Sequence, residues 1–452
     1  MPPTFTPNSD ALLETAIAAR ALTQLNLVTI YPRVASRNYE PGSFDRGDSV
    51  KIRRPKRREA TDLDPRTASY TFQEAQFFAG EVTLERLFVD GFLIYGYDPG
   101  QTMELYLQET ASMIVDAIAT PVDRYLYSKF FDWSNVVSDM ASGNYYLGDT
   151  PPFAISSCLD DDGNLTDFNN QGLIGASVFL DRENATTDRF AVISASAKGA
   201  FLGDTIAVEG ARLDAQRDPT SGLVVSGINQ GRFVQRYGFS VAGSNTVSGQ
   251  SAVLDLDTTA GTQSTLPIAS VADNPELFYA DYATGSLSSI GAVDITLTAA
   301  TALTAGVAVG KIAKLTQASP KKETTFFGVI LRINTSTPTA PVVTLVPYKY
   351  NGNKVDSTDI LVGDHVFSIP TIPSLNTVNT TEGIIYANRR IAEPIPGSGA
   401  IAASLTDPQT ALTLQVFTGN YDLGTVSQKN AAYHLCGAKI SDCRKTGLIL
   451  SL

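Results

Sequence analysis

The sequence contains few of the residues from which most catalytic and metal-binding sites are built. Its 452 residues include two histidines, His365 and His434, and three cysteines, Cys158, Cys436 and Cys443. So few and unevenly spaced thiols exclude a disulfide framework, and reduced thiols in a cytoplasm are the expectation. Two histidines leave few possible members for a Ser–His or Cys–His relay, and no G-x-S-x-G sequence stands between a strand and a helix. We therefore expect no enzymatic activity.

Long apolar runs are also missing. There is no positively charged, apolar N-terminal leader and no run of about eighteen uncharged apolar residues, so we expect neither a secretion signal nor a membrane span. What remains is a globular composition, with 43% apolar residues and a net charge of −12, long enough for two or three domains. We expect no general affinity for DNA or anionic membrane, because an acidic surface repels phosphate groups, so any contact with a polyanion must be local or made by one face only.

Three short motifs resemble ligand sites without meeting their requirements. Residues 306–312, GVAVGKI, are one residue short of a phosphate-binding loop, and Ile312 stands where Ser or Thr must ligate magnesium. In a calcium loop beginning at Asp160, the required Gly is Leu165 and the required Glu is Gln171. His434, Cys436 and Cys443 supply three ligands at spacings that no zinc frame uses. We expect turns and a strand at these positions, and neither a metal nor a cofactor.

One segment is strongly basic. Residues 51–58, KIRRPKRR, hold six cations, and acidic residues follow closely. The charged members of this segment are Lys51, Arg53, Arg54, Lys56, Arg57, Arg58, Glu59, Asp62 and Asp64. Alternating segments at 49–54 and 79–87 flank it, which predicts an extended hairpin. Two strands with so many charges cannot bury themselves, so the hairpin must lie on another surface.

Helical periodicity appears on both sides of this hairpin. Apolar or small residues at helical spacing predict a helix over 9–25, and a longer amphipathic helix over about 100–130 that kinks or restarts at Pro121. A further helix is predicted after a Thr166 cap, and 189–194 reads as a buried strand. These elements favour an α+β class.

After about residue 241 the sequence becomes rich in Thr, Val, Ser and Gly. Strand-like runs at 293–297, 307–315, 325–333 and 342–346 are separated by turn residues, the pattern of a small barrel or sandwich. Because helix and strand patterns of the first kind return near 380, we expect an all-β insertion over 250–372 that folds by itself. Its flanking strands, 233–241 and 384–391, should pair with each other.

The ordered series of arm helix, charged hairpin, long helix, α+β domain and β insertion resembles the major capsid proteins of tailed double-stranded DNA phages, which have the HK-ninety-seven type of fold. The P-twenty-two type, which carries an insertion domain, is the more similar subfamily. The segments that carry the resemblance are GDSVKIRRP, INQGRFVQRYGFSVAGSNTV, VDITLTAATALTAGVAVGKIA and QVFTGNYDLGTVSQKNAAYHLCGAKI. Pro121 departs from the family pattern, which has one continuous spine helix.

The resemblance implies an N-terminal arm (1–46), an extended loop (47–87), peripheral and axial α+β domains (88–249), an insertion domain (250–372) and a closing part of the axial and peripheral domains (373–452). It implies a virion protein, assembled in the host cytoplasm into hexamers and pentamers of an icosahedral shell around packaged DNA. The implied partners are other copies, a scaffolding protein, a portal and possible decoration proteins, with no membrane and no sequence-specific DNA binding.

On this resemblance, the nine charged residues of the extended loop contact a neighbouring subunit. A solvated charged loop and a DNA contact are the alternatives for the same segment. For the whole chain, the alternatives are a β-rich adhesin-type surface protein and a hydrolase with a pocket holding His365 or His434 beside a carboxylate. We also expect that removal of residues 1–26 spares the core, because the arm helix has only one apolar stripe.

Overall fold

The computed structural model describes residues 8–36, 49–55, 77–95, 103–133, 151–183, 185, 188–203, 234–250, 266–274, 278–280, 287–289, 291–298, 307–317, 319–337, 340–391, 401–406, 412–422 and 427–452. Within these ranges the fold is mixed α+β, with mostly strands, a few helices and one closed barrel. The predicted α+β class with a barrel-like all-β part is confirmed. None of the helices in the described part of the chain is long and apolar enough to cross a membrane.

Five α-helices are described, and we number them in chain order. They are α1 (Asn8–Val28), α2 (Tyr31–Val34), α3 (Met103–Ser128), α4 (Asn170–Arg182) and α5 (Ala195–Gly203).

The described strands are also numbered in chain order. They are β1 (Ser49–Pro55), β2 (Phe77–Thr83), β3 (Arg86–Tyr95), β4 (Ile155–Ser157), β5 (Arg189–Ile193), β6 (Val234–Arg236), β7 (Phe239–Gly243), β8 (Leu266–Asn274), β9 (Phe278–Ala280), β10 (Leu287–Ser289), β11 (Ala292–Leu297), β12 (Ile312–Gln317), β13 (Phe326–Asn334), β14 (Val342–Lys349), β15 (His365–Ser368), β16 (Ser374–Thr380), β17 (Ile384–Arg389), β18 (Ile401–Thr406), β19 (Thr413–Asp422), β20 (Ser427–Ile440) and β21 (Thr446–Ser451).

The chain divides into two compact units, each built from separated segments. Unit 1 comprises Met1–Ile52, Glu81–Tyr127 and Ile385–Lys439. Unit 2 comprises Arg53–Gly80, Ser128–Ile384 and Ile440–Leu452.

A five-stranded sheet forms the frame of unit 1. Its strand order is β17-β20-β19-β18, and β3 pairs with β20 over its full length, from Arg86 opposite Cys436 to Tyr95 opposite Ser427. Helix α3 packs on this sheet through Tyr125, whose hydroxyl donates to Glu85 at 2.8 Å and accepts from the Ala438 N–H at 3.0 Å. The arm helix α1 packs on β18 and β19.

Helix α3 runs continuously through Pro121, so no second helix starts at Thr120. A proline inside a helix leaves the carbonyl four residues earlier without its usual donor. Here that residue is Ala117, which is exposed, so water can satisfy the carbonyl. The buried side is apolar on both sides of Pro121, with Ile114, Ile118 and Val122 each at most 1% exposed. Burial of this stripe therefore outweighs the lost hydrogen bond.

Unit 2 contains a six-stranded sheet in the order β4-β21-β16-β5-β7-β6. The predicted strand at 189–194 is β5, in which Ala191, Val192 and Ile193 are buried. Helix α4 packs on β4 and β21. The N-cap of α4 is Asn169, whose side chain accepts from the Gln171 N–H at 3.0 Å, and not Thr166 as predicted. Thr and Asn can both cap a helix. Asn169 is the cap because its backbone is extended and the first helical turn begins immediately after it.

The barrel of unit 2 is closed by six antiparallel strands in the order β11-β14-β13-β12-β15-β8, with β8 pairing back to β11. The predicted strand runs at 293–297, 325–333 and 342–346 correspond to β11, β13 and β14. The run at 307–315 forms its strand only from Ile312, because a turn with Gly310 at φ +86° precedes it. Apolar side chains fill the barrel, and buried members include Val293, Ile295, Leu315, Leu345 and Phe367.

The barrel leaves and returns to the six-stranded sheet at neighbouring points. The Gln250 N–H donates to the Ile372 carbonyl at 2.9 Å, and the Leu375 N–H donates to the Ser248 carbonyl at 3.1 Å. The predicted pairing of 233–241 with 384–391 is wrong. Residues 234–243 form the β6–β7 hairpin, and β17 pairs with β20. The two ends of an inserted domain must lie close together. Here two hydrogen bonds between loops hold them together, rather than the predicted pair of strands.

Candidate functional site

The structure describes only part of the basic segment and its acidic neighbours. Lys51, Arg53 and Arg54 lie on β1, which pairs with β2 in a two-stranded sheet. The remaining candidates, Lys56, Arg57, Arg58, Glu59, Asp62 and Asp64, lie outside the described residues. The predicted second strand of the hairpin, 79–87, is divided between β2, which ends at Thr83, and β3, which begins at Arg86. The inter-subunit role of the nine residues stays a prediction.

The base of the hairpin is anchored in unit 1 by an apolar cluster. Val50 and Val82, from the two hairpin strands, pack with Leu84, and all three are at most 2% exposed. The other buried members of the cluster are Ile385, Ala387 and Leu435. Burying one such aliphatic side chain stabilises a fold by about 1.5–3 kcal/mol. The base therefore belongs to the unit 1 core.

The arm helix is part of the core of unit 1. Ile17, Ala18, Ala21, Leu22 and Leu25 are at most 6% exposed. The expectation that residues 1–26 can be removed without affecting the core is therefore at odds with the structure. A single apolar stripe is enough to make a helix a core element when a sheet lies under it.

Asp123 joins the arm to the long helix. Its carboxylate accepts hydrogen bonds from the Ile30 N–H at 3.1 and 3.2 Å and from the Tyr31 N–H at 3.1 Å. Burial is the main cause that raises the pKa of Asp123 to about 7, against the opposing effects of these two donors and of Arg33. The carboxylate thus supplies acceptors at the start of α2, where helical N–H groups have none of their own. Asp123 was not predicted as a site, although it directly follows Val122 of the apolar stripe of α3.

His434 lies in a fully buried position on β20. Its Nδ1 donates to the Thr413 carbonyl at 2.7 Å, and its Nε2 accepts from the Tyr386 hydroxyl at 2.5 Å. Burial lowers the pKa of His434 to about 4, so the ring is neutral and both nitrogens are occupied. A phenol and a backbone carbonyl, rather than a carboxylate, are its partners among the described residues. This arrangement stabilises the sheet and offers no general base to a substrate.

His365 is buried at the start of β15. Its Nδ1 accepts from the Leu361 N–H at 3.0 Å, and its ring stacks on Phe326 with centroids 5.4 Å apart. Among the described residues no carboxylate hydrogen-bonds to this ring. The hydrolase alternative, which requires a histidine beside a carboxylate in a pocket, finds no support at either histidine.

The three weak ligand motifs form the turns and strands that were predicted for them. The Asp160 carboxylate accepts from the Asn164 N–H at 2.8 Å across a turn in which Gly163 has φ +73°. Lys311 is buried beside Gly310, where a phosphate-binding loop would need it to reach a ligand. Cys158, Cys436 and Cys443 are free and buried. In the described part of the chain, no group of three His, Cys, Asp or Glu side chains is placed to hold a metal ion.

Comparisons with known proteins give matches among solved structures only. No family model and no curated protein sequence matches the chain. A capsid structure of the cyanophage P-SCSP1u matches with a TM-score of 0.37 and 10% identity, over 94% of this chain and 88% of that chain. The capsid of Ralstonia phage GP4 matches with a TM-score of 0.36 and 10% identity, over 93% and 88% of the two chains. A structure from Mycobacterium phage Che8 matches with a TM-score of 0.36 and 10% identity, over 93% and 90%. In these comparisons the chain is similar to proteins of phage capsids.

Proposed function

We propose that this chain is a structural, non-enzymatic subunit of a viral capsid, which assembles with itself into a closed icosahedral shell of hexamers and pentamers around packaged double-stranded DNA. The observation that carries the proposal is the arrangement of the insertion. A closed barrel interrupts an α+β host through adjacent hydrogen-bonded connections at Gln250–Ile372 and Ser248–Leu375. The sequence resemblance implies this arrangement at this place in the chain.

The anchored hairpin supports the same proposal. Val50 and Val82 bury the base of the hairpin in the core of unit 1. A charged hairpin gains little by folding on its own chain, but it can pair its charges with a neighbour. Each exposed pair contributes only about 0.2–1 kcal/mol, yet a closed shell repeats every pair many times.

The net charge of −12 is suited to a container for DNA. Phosphate groups attract basic surfaces and are repelled by acidic ones, so an acidic shell protein encloses DNA without holding it tightly. The proposed partners are other copies of the chain, a scaffolding protein and a portal, with a decoration protein as a possible addition. The proposed location is the virion, with assembly in the host cytoplasm.

The test is negative-stain electron microscopy of the purified chain, expressed alone and together with the proteins encoded beside it. Closed particles or tubes are the expected result. A monodisperse monomer or small oligomer under all of these conditions would contradict the proposal and favour the adhesin-type alternative.

A further inference from the structure

A turn at one end of the barrel exposes two adjacent aliphatic side chains. This turn, which we call the barrel tip, spans residues 356–364 between β14 and β15. Leu361 is 49% and Val362 is 54% exposed. Two neighbouring aliphatic residues in water form a small exposed apolar patch.

Hydrogen bonds hold the barrel tip in a fixed conformation. The Leu361 N–H donates to His365 Nδ1, and the Leu361 carbonyl accepts from the N–H groups of Asp364 at 3.3 Å and His365 at 3.0 Å. His365 is only 1% exposed and stacks on Phe326, so the tip is tied to the barrel core. Gly363 takes φ +89°, a conformation that favours glycine. These contacts hold the backbone of the tip in place, so Leu361 and Val362 stay exposed.

Carboxylates lie on both sides of the aliphatic pair along the chain. Asp356, Asp359 and Asp364 are exposed on the tip, and Asp273 beside it accepts from the Ser357 N–H at 3.3 Å. Lys349 pairs with Asp359 at 3.2 Å, whereas Asp356 and Asp364 have no ion-pair partner among the described residues. The sequence contains no Lys or Arg from 355 to 388. The tip is consequently an apolar centre within an acidic rim, which is complementary to a basic segment that carries an apolar residue.

A closed barrel also restricts how another molecule can bind to it. Each of its six strands pairs with two neighbours, so none of the described barrel strands is an edge strand. We therefore expect contacts to the barrel to be made by side chains rather than by strand addition. The barrel tip is the turn of the described barrel where two large aliphatic residues are exposed together.

We propose that the barrel tip binds the basic segment 51–58 of a second copy of this chain. That segment holds six cations around Ile52 and Pro55, and it matches the acidic rim in charge and the aliphatic centre in polarity. The inference rests on the proposed function and names the surface that the basic segment contacts. Pairs between the cations of the segment and the carboxylates of the tip should speed association and fix the orientation of the segment, and the aliphatic contact should exclude water at the centre of the interface.

The first test measures binding without requiring assembly. A fluorescent peptide of residues 49–58 is titrated against the full chain at two salt concentrations, with anisotropy as the readout. We expect saturable binding that weakens with salt, and a Kd raised roughly tenfold by D356N/D359N/D364N or by L361S/V362S. The matched control for the carboxylates is D161N/D162N/D188N, and I174S removes one exposed aliphatic side chain elsewhere; both should bind as the wild type does. No binding, or equal binding by all variants, would overturn the proposal.

The second test uses particles. V362C/R54C is compared with I174C/R54C under mild oxidation, and the native cysteines do not interfere because they are buried. We expect disulfide-linked copies from the first pair only, while equal cross-linking or none in intact particles would count against the proposal. If the wild type forms no particles, the proposed function fails, and the peptide titration still decides whether the tip binds the basic segment.

Discussion

The carboxylate of Asp123 accepts a 3.1 Å hydrogen bond from the backbone N–H of Tyr31, across 92 residues of sequence. This bond and those from Ile30 fix the segment after the arm helix against the long helix within unit 1. We expect Asp123→Ala to destabilise the chain by about 1–3 kcal/mol for each buried N–H left without an acceptor. Asp123→Asn keeps an acceptor and should cost less. Urea unfolding of the two variants beside the wild type measures the difference.

The stability of the wild type should also depend on pH through Asp123. Its pKa is raised from 3.8 to about 7 in the folded chain, so the folded state binds the proton more tightly than the unfolded state. The contribution of this group is therefore fully present below about pH 4, decreases as pH rises, and is lost above about pH 7. Asp123→Asn has no such proton, and the difference in unfolding free energy between the two proteins should change by roughly 1–4 kcal/mol between pH 5 and pH 8. A constant difference would show that Asp123 is ionised at both pH values.

The arm helix provides a second prediction, on stability. Leu25 is 2% exposed on α1, and its truncation leaves a cavity, so we expect Leu25→Ala to lower the unfolding free energy by about 2–5 kcal/mol. Thr23→Ala is the matched control on the same helix. Thr23 is exposed and its hydroxyl donates to the Ala19 carbonyl one turn earlier, so the change should stay within about 0.5 kcal/mol. Equal effects of the two changes in chemical denaturation would show that α1 does not pack as described.

The basic segment provides a third prediction, on assembly. Reversing Arg53, Arg54, Arg57 and Arg58 to Glu should leave the circular dichroism spectrum and melting unchanged but reduce particle yield, because we propose that their partners lie on another copy. The control reverses four exposed cations elsewhere, Arg124, Lys321, Arg390 and Lys429, and changes the net charge by the same amount. Unchanged particle yield and salt resistance in the first variant would refute the inter-subunit role.

The thiols provide a fourth prediction. Cys158, Cys436 and Cys443 are at most 1% exposed, and burial raises the pKa of Cys158 to about 11. Reaction requires an accessible thiolate, so the native protein should react slowly with a thiol reagent and all three thiols should react after denaturation. A non-reducing gel of fresh protein should show no covalent dimer. Rapid labelling of the native chain would indicate that one of these sites opens.

Local patterns predicted the elements, but not the partners that distant elements choose. The alternation at 293–297, 325–333 and 342–346 was sufficient to find β11, β13 and β14, because each strand buries one face of its own sequence. The pairing of β3 with β20 joins residues more than three hundred positions apart, and no local signal carries it. The same limitation explains the wrong pairing of 233–241 with 384–391. The two ends of the insertion do lie next to each other, as required. Hydrogen bonds of the loops at Gln250 and Ser248 hold them together, and not the predicted pair of strands.

The helix ends and the candidate site also depend partly on local sequence and partly on the tertiary structure. Thr166 and Asn169 are both good caps, and the extended backbone of Asn169 decided between them. The sequence predicted that the helix kinks or restarts at Pro121. The helix continues because the Ala117 carbonyl, which lacks its usual donor, is exposed to water, and this exposure depends on the tertiary structure. Within the site, the charge of segment 51–58 was visible in the sequence, whereas the acidic rim and aliphatic centre of the barrel tip depend on the turn that His365 holds.

The last prediction is that residues 250–372 fold when expressed as an isolated fragment. All six barrel strands lie within these limits, the sheet closes on itself, and Ile295, Leu315, Leu345 and Phe367 are fully buried among other barrel residues. About 120 residues are enough to close a core. The fragment should melt below the full chain, because the Trp133 ring, which lies against Gly310, is absent from it. A dispersed amide spectrum and a cooperative melt are the expected observations.

Ile295→Ala should destabilise the fragment by about 2–5 kcal/mol, whereas Thr358→Ala on the exposed tip should not. A fragment without a cooperative melt would show that the barrel needs its host sheet, and the resemblance to the subfamily with an autonomous insertion would then fail while the broader capsid proposal remained open to its own test.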